Sequence, residues 1–217
     1  KLNWIDENYL SHFKKIEVDS EVRLQKPFAE RKEEYGFYSV TEGEDTEGKA
    51  YFSYNTVCGD GLDRNLYRAF PVLSYVLVQS IGAPLKQALL DAGIGNDISC
   101  YYEESVRQPF FSIIAKNVKM EQKQQFINVI ETELKKIVKE GLNQQSLLAA
   151  INGYEFQYRE ADFGNFPKGL MYGLQMMDSW LYDENQPFLH LIALDRFNKL
   201  KKQLDNGYFE GLVQKYL

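Results

Sequence analysis

The sequence predicts an α+β fold, an antiparallel sheet of about four to six strands covered on one face by helices. Three observations carry that expectation. Stretches with a hydrophobic period of two, rich in aromatic and β-branched residues, occur around residues 35–57 and 97–118. Stretches with a period near 3.6 fill most of the remainder. The order is hairpin, two helices, hairpin, then several helices, which segregates sheet from helix and does not alternate them.

The elements follow in chain order. Residues 1–32 read as a lead-in arm or interdomain linker, and 33–217 as a single α+β domain. In the arm, Trp4, Ile5, Tyr9, Leu10 and Phe13 recur at helical spacing, predicting a short amphipathic helix over Asp6 to Lys15. Pro27 and the charged AERKEE run then break the pattern. Tyr35 to Val40 and Ala50 to Val57, joined by the turn cluster TEGEDTEGK, predict a β-hairpin. Leu62 to Ile81 is an apolar helical segment that Pro71 should kink or restart. Pro84 to Ala92 is a short helix ended by Gly93, and Asp97 to Glu104 with Pro109 to Val118 form a second strand pair. Met120 to Glu140 carries one stripe (Phe126, Ile127, Ile130, Leu134, Ile137, Val138) and stops at Gly141.

Asn143 to Ala161 restarts as a helix, and a new one opens at Pro167, with Asn165 placed to cap it. Leu170, Leu174, Met177 and Leu181 mark one face of that helix, expected to be buried. Gly169 and Gly173 stand four apart and cost about 1 kcal/mol each relative to Ala, so a close backbone neighbour is expected there. After the ENQP turn come helices over Ile192 to Leu204 and Tyr208 to Leu217.

Composition limits the function classes. The 217 residues are 44% hydrophobic and 26% charged, enough for a substantial core. A net charge of −6 gives no nucleic-acid footprint, and no apolar run approaches the ~18 residues of a membrane span. Lys1 opens the chain with no initiator Met and no signal-peptide pattern, which reads as a piece of a longer protein. Cys58 and Cys100 lack metal-like spacing. They read as buried small hydrophobes that could lie on neighbouring strands, in a reducing, cytoplasmic compartment.

A search for chemistry finds no catalytic set. His12 and His190 are the only histidines, with no partner evident nearby, and neither belongs to H-E-x-x-H or H-x-x-E-H. No G-x-S-x-G occurs, and Gly59-Asp60-Gly61 and Gly93-Ile94-Gly95 are turns, not phosphate loops. The charge runs Arg31 to Glu34 and Lys199 to Lys202 fit solvated faces. Glu155 and Arg159 suit an i, i+4 ion pair, and Arg159, Glu160 and Asp162 suit local pairs and caps. Catalytic, cofactor-binding and metal residues are therefore assigned to none of these positions.

The runs YFSYNTVCGDGLDRNLYRAFPVLSYVL, GAPLKQALLDAGIGNDI and FQYREADFGNFPKGLMYGLQMMDSWLYD together resemble the insulinase-like zinc metallopeptidases of the presequence-protease type. The likeness runs from about Val22 onward. It implies the second, non-catalytic domain of the N-terminal half of a four-domain enzyme. The family's zinc ligands lie in the first domain and its substrate-orienting Arg and Tyr in the last, so no residue of this chain inherits those roles. The resemblance implies zinc in the parent enzyme and none in this segment. Its implied partners are the catalytic and C-terminal domains of the same chain, with peptide substrates in a closed chamber. It also implies a further strand after Leu217, whose absence would leave a sheet edge open to association. The alternative is a stand-alone peptide-binding or scaffolding module, suggested by 15 Tyr and 14 Phe.

Overall fold

A computed structural model describes residues 1–217. The sheet has three antiparallel strands, β1 (Ala50–Val57), β2 (Asp97–Glu103) and β3 (Phe110–Val118), in the order β1-β3-β2. β2 and β3 form the expected hairpin, closing with Glu103 opposite Phe110. Because side chains alternate, one face gathers Phe111, Ile113 and Ala115 of β3. Register places Thr56, Tyr54 and Phe52 of β1 and Tyr102, Cys100 and Ile98 of β2 beside them. The opposite face is mainly polar: Ser112 donates its hydroxyl to Asn55 Oδ1 at 2.6 Å, and Ser53 does so at 2.8 Å. Helices cover the first face only.

The strand count falls below four because the first hairpin does not form. Residues 35–40 pair with nothing and are exposed throughout, Phe37 completely. Their pattern is aromatic on both sides, so pairing there would need cover on both faces. β1 instead takes β3 as its partner. Tyr38 still donates its hydroxyl to the Lys49 carbonyl and sets its ring edge on Tyr51 at 5.3 Å.

The helices are α1 (Leu2–Asn8), α2 (Arg64–Ser74), α3 (Pro84–Asp91), α4 (Lys123–Glu140), α5 (Gln144–Glu160), α6 (Lys168–Trp180), α7 (Leu194–Lys201) and α8 (Tyr208–Tyr216). α1 begins before the expected Asp6 to Lys15 span and ends already at Asn8, followed by a 3-10 turn over Leu10–His12. α2 starts at Asp63, whose carboxylate accepts from the N–H groups of Asn65 and Leu66. It carries Pro71 without restarting and widens into a π-helical turn over Tyr75–Gln79. α4 buries its stripe, and Gly141 at φ 87° ends it. Asn143 caps α5, its side chain accepting from Ser146 N–H. Asn165 does not cap α6: Pro167, extended at φ −60° and ψ 129°, holds that position and leaves no side-chain acceptor.

One cluster of 33 buried residues forms the core, centred on Phe70, Phe111, Phe197 and Phe209. Phe70 stacks on Tyr102 at 5.0 Å and meets Tyr216 edge-on at 5.8 Å. The glycine turns are steric requirements. A Cβ on Gly61 would sit 2.6 Å from Val106 O, and one on Gly95, at φ +63°, 2.6 Å from Lys116 O. Residues 1–47 lie wholly outside this core, exposed at every position. Polar ties fasten part of them: Gln25 and Gln108 exchange two hydrogen bonds, Arg31 pairs with Glu131, and Lys123 meets Glu33 and Tyr35.

Candidate functional site

The residues singled out for chemistry do not converge. His12 is exposed in the 3-10 turn after α1, far in sequence and setting from the buried His190. Cys58 follows β1 and Cys100 lies on β2, on opposite sides of β3, so they are not on neighbouring strands. Both thiols are free, and burial pushes that of Cys58 up to about 12. Glu155 does form the i, i+4 pair with Arg159, at 2.6 Å, and also holds Lys201 of α7 at 2.6 Å. Asp162 caps a turn by accepting from Gly164 N–H. The Lys199–Lys202 run is less solvated than expected, since Lys199 reaches Asn65 as Lys201 reaches Glu155.

His190 was expected to stand without a partner. It is buried, stacks on Tyr67 at 3.7 Å with planes 10° apart, and places Nε2 2.9 Å from Gly61 O. A carbonyl only accepts, so Nε2 carries the proton and donates. Burial lowers the imidazole pKa to about 4, with Arg68 and Arg64 acting the same way. The ring is therefore neutral at pH 7 and its Nε2 is not free to bind a metal. Its flanks, Leu189 and Leu191, were the sequence signal for burial.

Around His190 four distant segments meet. Tyr67 of α2 donates its hydroxyl to Asp178 Oδ2 of α6 at 2.7 Å. Arg68 donates to the His190 carbonyl at 2.6 Å, its guanidinium packed over the rings of Tyr67, Tyr158 and Phe197. Burial lowers the Arg68 pKa and raises that of Asp178. Burial also pushes Glu104, just beyond β2, up to about 7, and the charges of Asp178 and Glu103 add to the rise. Tyr182 donates to Ser105 O at 3.1 Å, and Arg107 pairs with Asp60 at 2.8 Å. The protons here are committed: Tyr67 to Asp178, His190 to Gly61, Arg68 to a carbonyl. The cluster fastens α6 and the segment before α7 onto α2.

α6 itself reverses the burial expected of it. Leu170, Leu174, Met177 and Leu181 are 51%, 54%, 39% and 67% exposed, and the only buried residue of the helix is Ser179. A Cβ on Gly169 or Gly173 would meet nothing within 4 Å. The periodicity defines one apolar face, but periodicity alone does not say which body covers that face.

Comparison with known proteins decides the family. Residues 2–154 match the family described as the peptidase M16 inactive domain. The chain belongs to that family. Over all 217 residues this M16 domain is 42% identical to the protein HypA of Clostridium perfringens, covering 22% of that protein. It is 28% identical over 204 residues to presequence protease 1, chloroplastic/mitochondrial, of Arabidopsis thaliana, covering 91% of the chain and 19% of the relative. The M16 domain thus spans about a fifth of the length of these curated relatives. Among solved structures, the inactive peptidase domain of a candidate zinc protease from Bordetella parapertussis shares the fold. Its TM-score is 0.59 at 9% identity, over 77% of this chain and 87% of that one.

Zinc does not fit the residues of this M16 domain. No three His, Cys, Asp or Glu side chains stand close enough together to hold a metal ion, and the buried histidine is spent on Gly61.

Proposed function

We propose that this M16 domain is the non-catalytic wall of a zinc metalloendopeptidase that degrades peptides inside a closed chamber. It stands second in the N-terminal half and braces the catalytic and C-terminal domains of the same chain. The carrying observation is membership of the inactive-domain family in a chain whose curated relatives are several times longer. Two further features support it: residues 1–47 lie outside the core, and α6 presents an apolar face without cover. Residues 1–32 then serve as the arm linking this domain to its neighbour, and the two free thiols suit a reducing, cytoplasmic setting.

In the test, the full-length protein and the 217-residue chain are each given a quenched fluorescent peptide and assayed for bound zinc. The full-length protein should cleave the peptide and stop on chelation, and the 217-residue chain should neither cleave nor bind zinc stoichiometrically. About one tightly bound zinc per 217-residue chain would overturn the reading. So would a full-length protein with no chelator-sensitive cleavage, and peptide binding by the chain alone would then favour a scaffolding role.

A further inference from the structure

We infer that the outer face of α6, the stripe Phe166, Leu170, Leu174, Met177 and Leu181, seats a helix from another domain of the same polypeptide. This rests on reading the chain as one domain of a longer peptidase, and it names the surface through which that domain docks. Leu170, Leu174 and Met177 follow i, i+4, i+7 spacing on α6, with Phe166 just before the helix and Leu181 just after it, and all five are open to solvent. α6 makes no extensive contact with any other helix or strand. Its attachment is polar: Asp178 to Tyr67, Tyr182 to Ser105, and Ser179 to Gln186 O at 2.7 Å.

The chemistry of the face selects the occupant. Lys168 and Asp178 are the only charged residues of α6, and Asp178 is turned inward to Tyr67, so the stripe demands an uncharged, apolar partner. Gly169 and Gly173 adjoin Leu170 and Leu174 with open space above their Cα atoms. A bare backbone groove beside an i, i+4 ridge is the surface into which a second helix packs at close range. The exposed apolar area of the stripe is on the order of 500 Å², at the upper end of what a monomer leaves uncovered. Counting both partners, this is about 1,000 Å², inside the roughly 600–1,500 Å² of interfaces between domains of one chain. One side of it falls short of the ~800 Å² per partner typical of stable complexes between separate molecules. Curated relatives that match the chain over nine-tenths or more of its length are about five times as long, leaving room in such a protein for the docking helix.

The test compares amide hydrogen exchange over residues 166–181 in the 217-residue chain and in the full-length protein. Exchange in α6 should slow by about tenfold or more in the full-length protein. Leu174→Asp should restore fast exchange there while leaving the melting temperature of the 217-residue chain unchanged, because Leu174 is 54% exposed in it and lies outside the buried core. Equal exchange in both proteins overturns the inference, even where the full-length protein is an active zinc peptidase. Concentration-dependent dimerisation of the 217-residue chain, abolished by Leu174→Asp, overturns it in favour of a second copy. Protection of α6 in a full-length protein without peptidase activity upholds the docking surface and refutes the peptidase reading.

Discussion

Replacing Glu104 with Gln should stabilise this M16 domain, and only above mildly acidic pH. Glu104 sits half-buried beyond β2, raised from an ordinary 4.5 to about 7 first by burial and then by the charges of Asp178 and Glu103, with Arg68 pulling the other way. Moving a carboxyl over that range costs the ionised form about 3 kcal/mol at 1.36 kcal/mol per pH unit. Partial solvent contact reduces this to about 1–2 kcal/mol. Below pH about 4.5 the group is protonated in both states and contributes nothing. Between about 4.5 and 7 the unfolded chain releases the proton that the folded chain keeps, so stability falls as pH rises, and above about 7 the loss is complete.

His190 acts oppositely in part of the same window. Its folded pKa of about 4 lies below the ordinary 6.5, so its contribution is present above about 6.5 and is lost as pH falls through 4. The wild-type slope therefore mixes two trends, and the difference between wild type and Glu104→Gln isolates one of them. Urea unfolding followed by circular dichroism from about pH 4.5 to 8 should give a gap near zero at the acid end, rising to about 1–2 kcal/mol at the alkaline end. A gap independent of pH, or a variant less stable than wild type at pH 8, would refute the reasoning.

Other expectations follow from the same contacts. Tyr67→Phe keeps the stack on His190 but leaves Asp178 without its donor. It should cost about 1–2 kcal/mol and lower the melting temperature by about 2–8 °C, with faster amide exchange in α6. An unchanged melting temperature and exchange pattern would show that the bond does not hold α6. The glycines should divide by position. Gly95→Ala meets Lys116 O at a positive φ and should cost more than about 2 kcal/mol. Gly169→Ala and Gly173→Ala in the 217-residue chain should each be neutral or stabilising by up to about 1 kcal/mol in urea titrations. A large loss at either would mean that a backbone does pack there.

Much of the fold was legible because its signals are local. The stripe of α4, the Gly141 stop, the helix restart at Asn143 and the β2–β3 hairpin each depend on residues close together in the chain. The first hairpin misled because Tyr35 to Val40 satisfies strand propensity while pairing is decided by cover, and β3 offered β1 a buried partner. Asn165 misled in the same way, its neighbour Pro167 having already set the entry into α6. The cluster around His190 had no sequence signature beyond the apolar neighbours of the histidine, since its members come from residues 67–68, 104, 178 and 190.

The sequence by itself determined the class of fold, the placement of most helices, the want of a metal-binding motif and the likeness to the family. Each of these is written in residue type and short-range spacing. Tertiary structure alone decided burial. It took His190 inside and turned Asp178 inward to Tyr67, and it left Leu170, Leu174 and Met177 facing water. A helical period defines a face, but the free energy of covering it depends on the body placed against it. For α6 this domain supplies no such body.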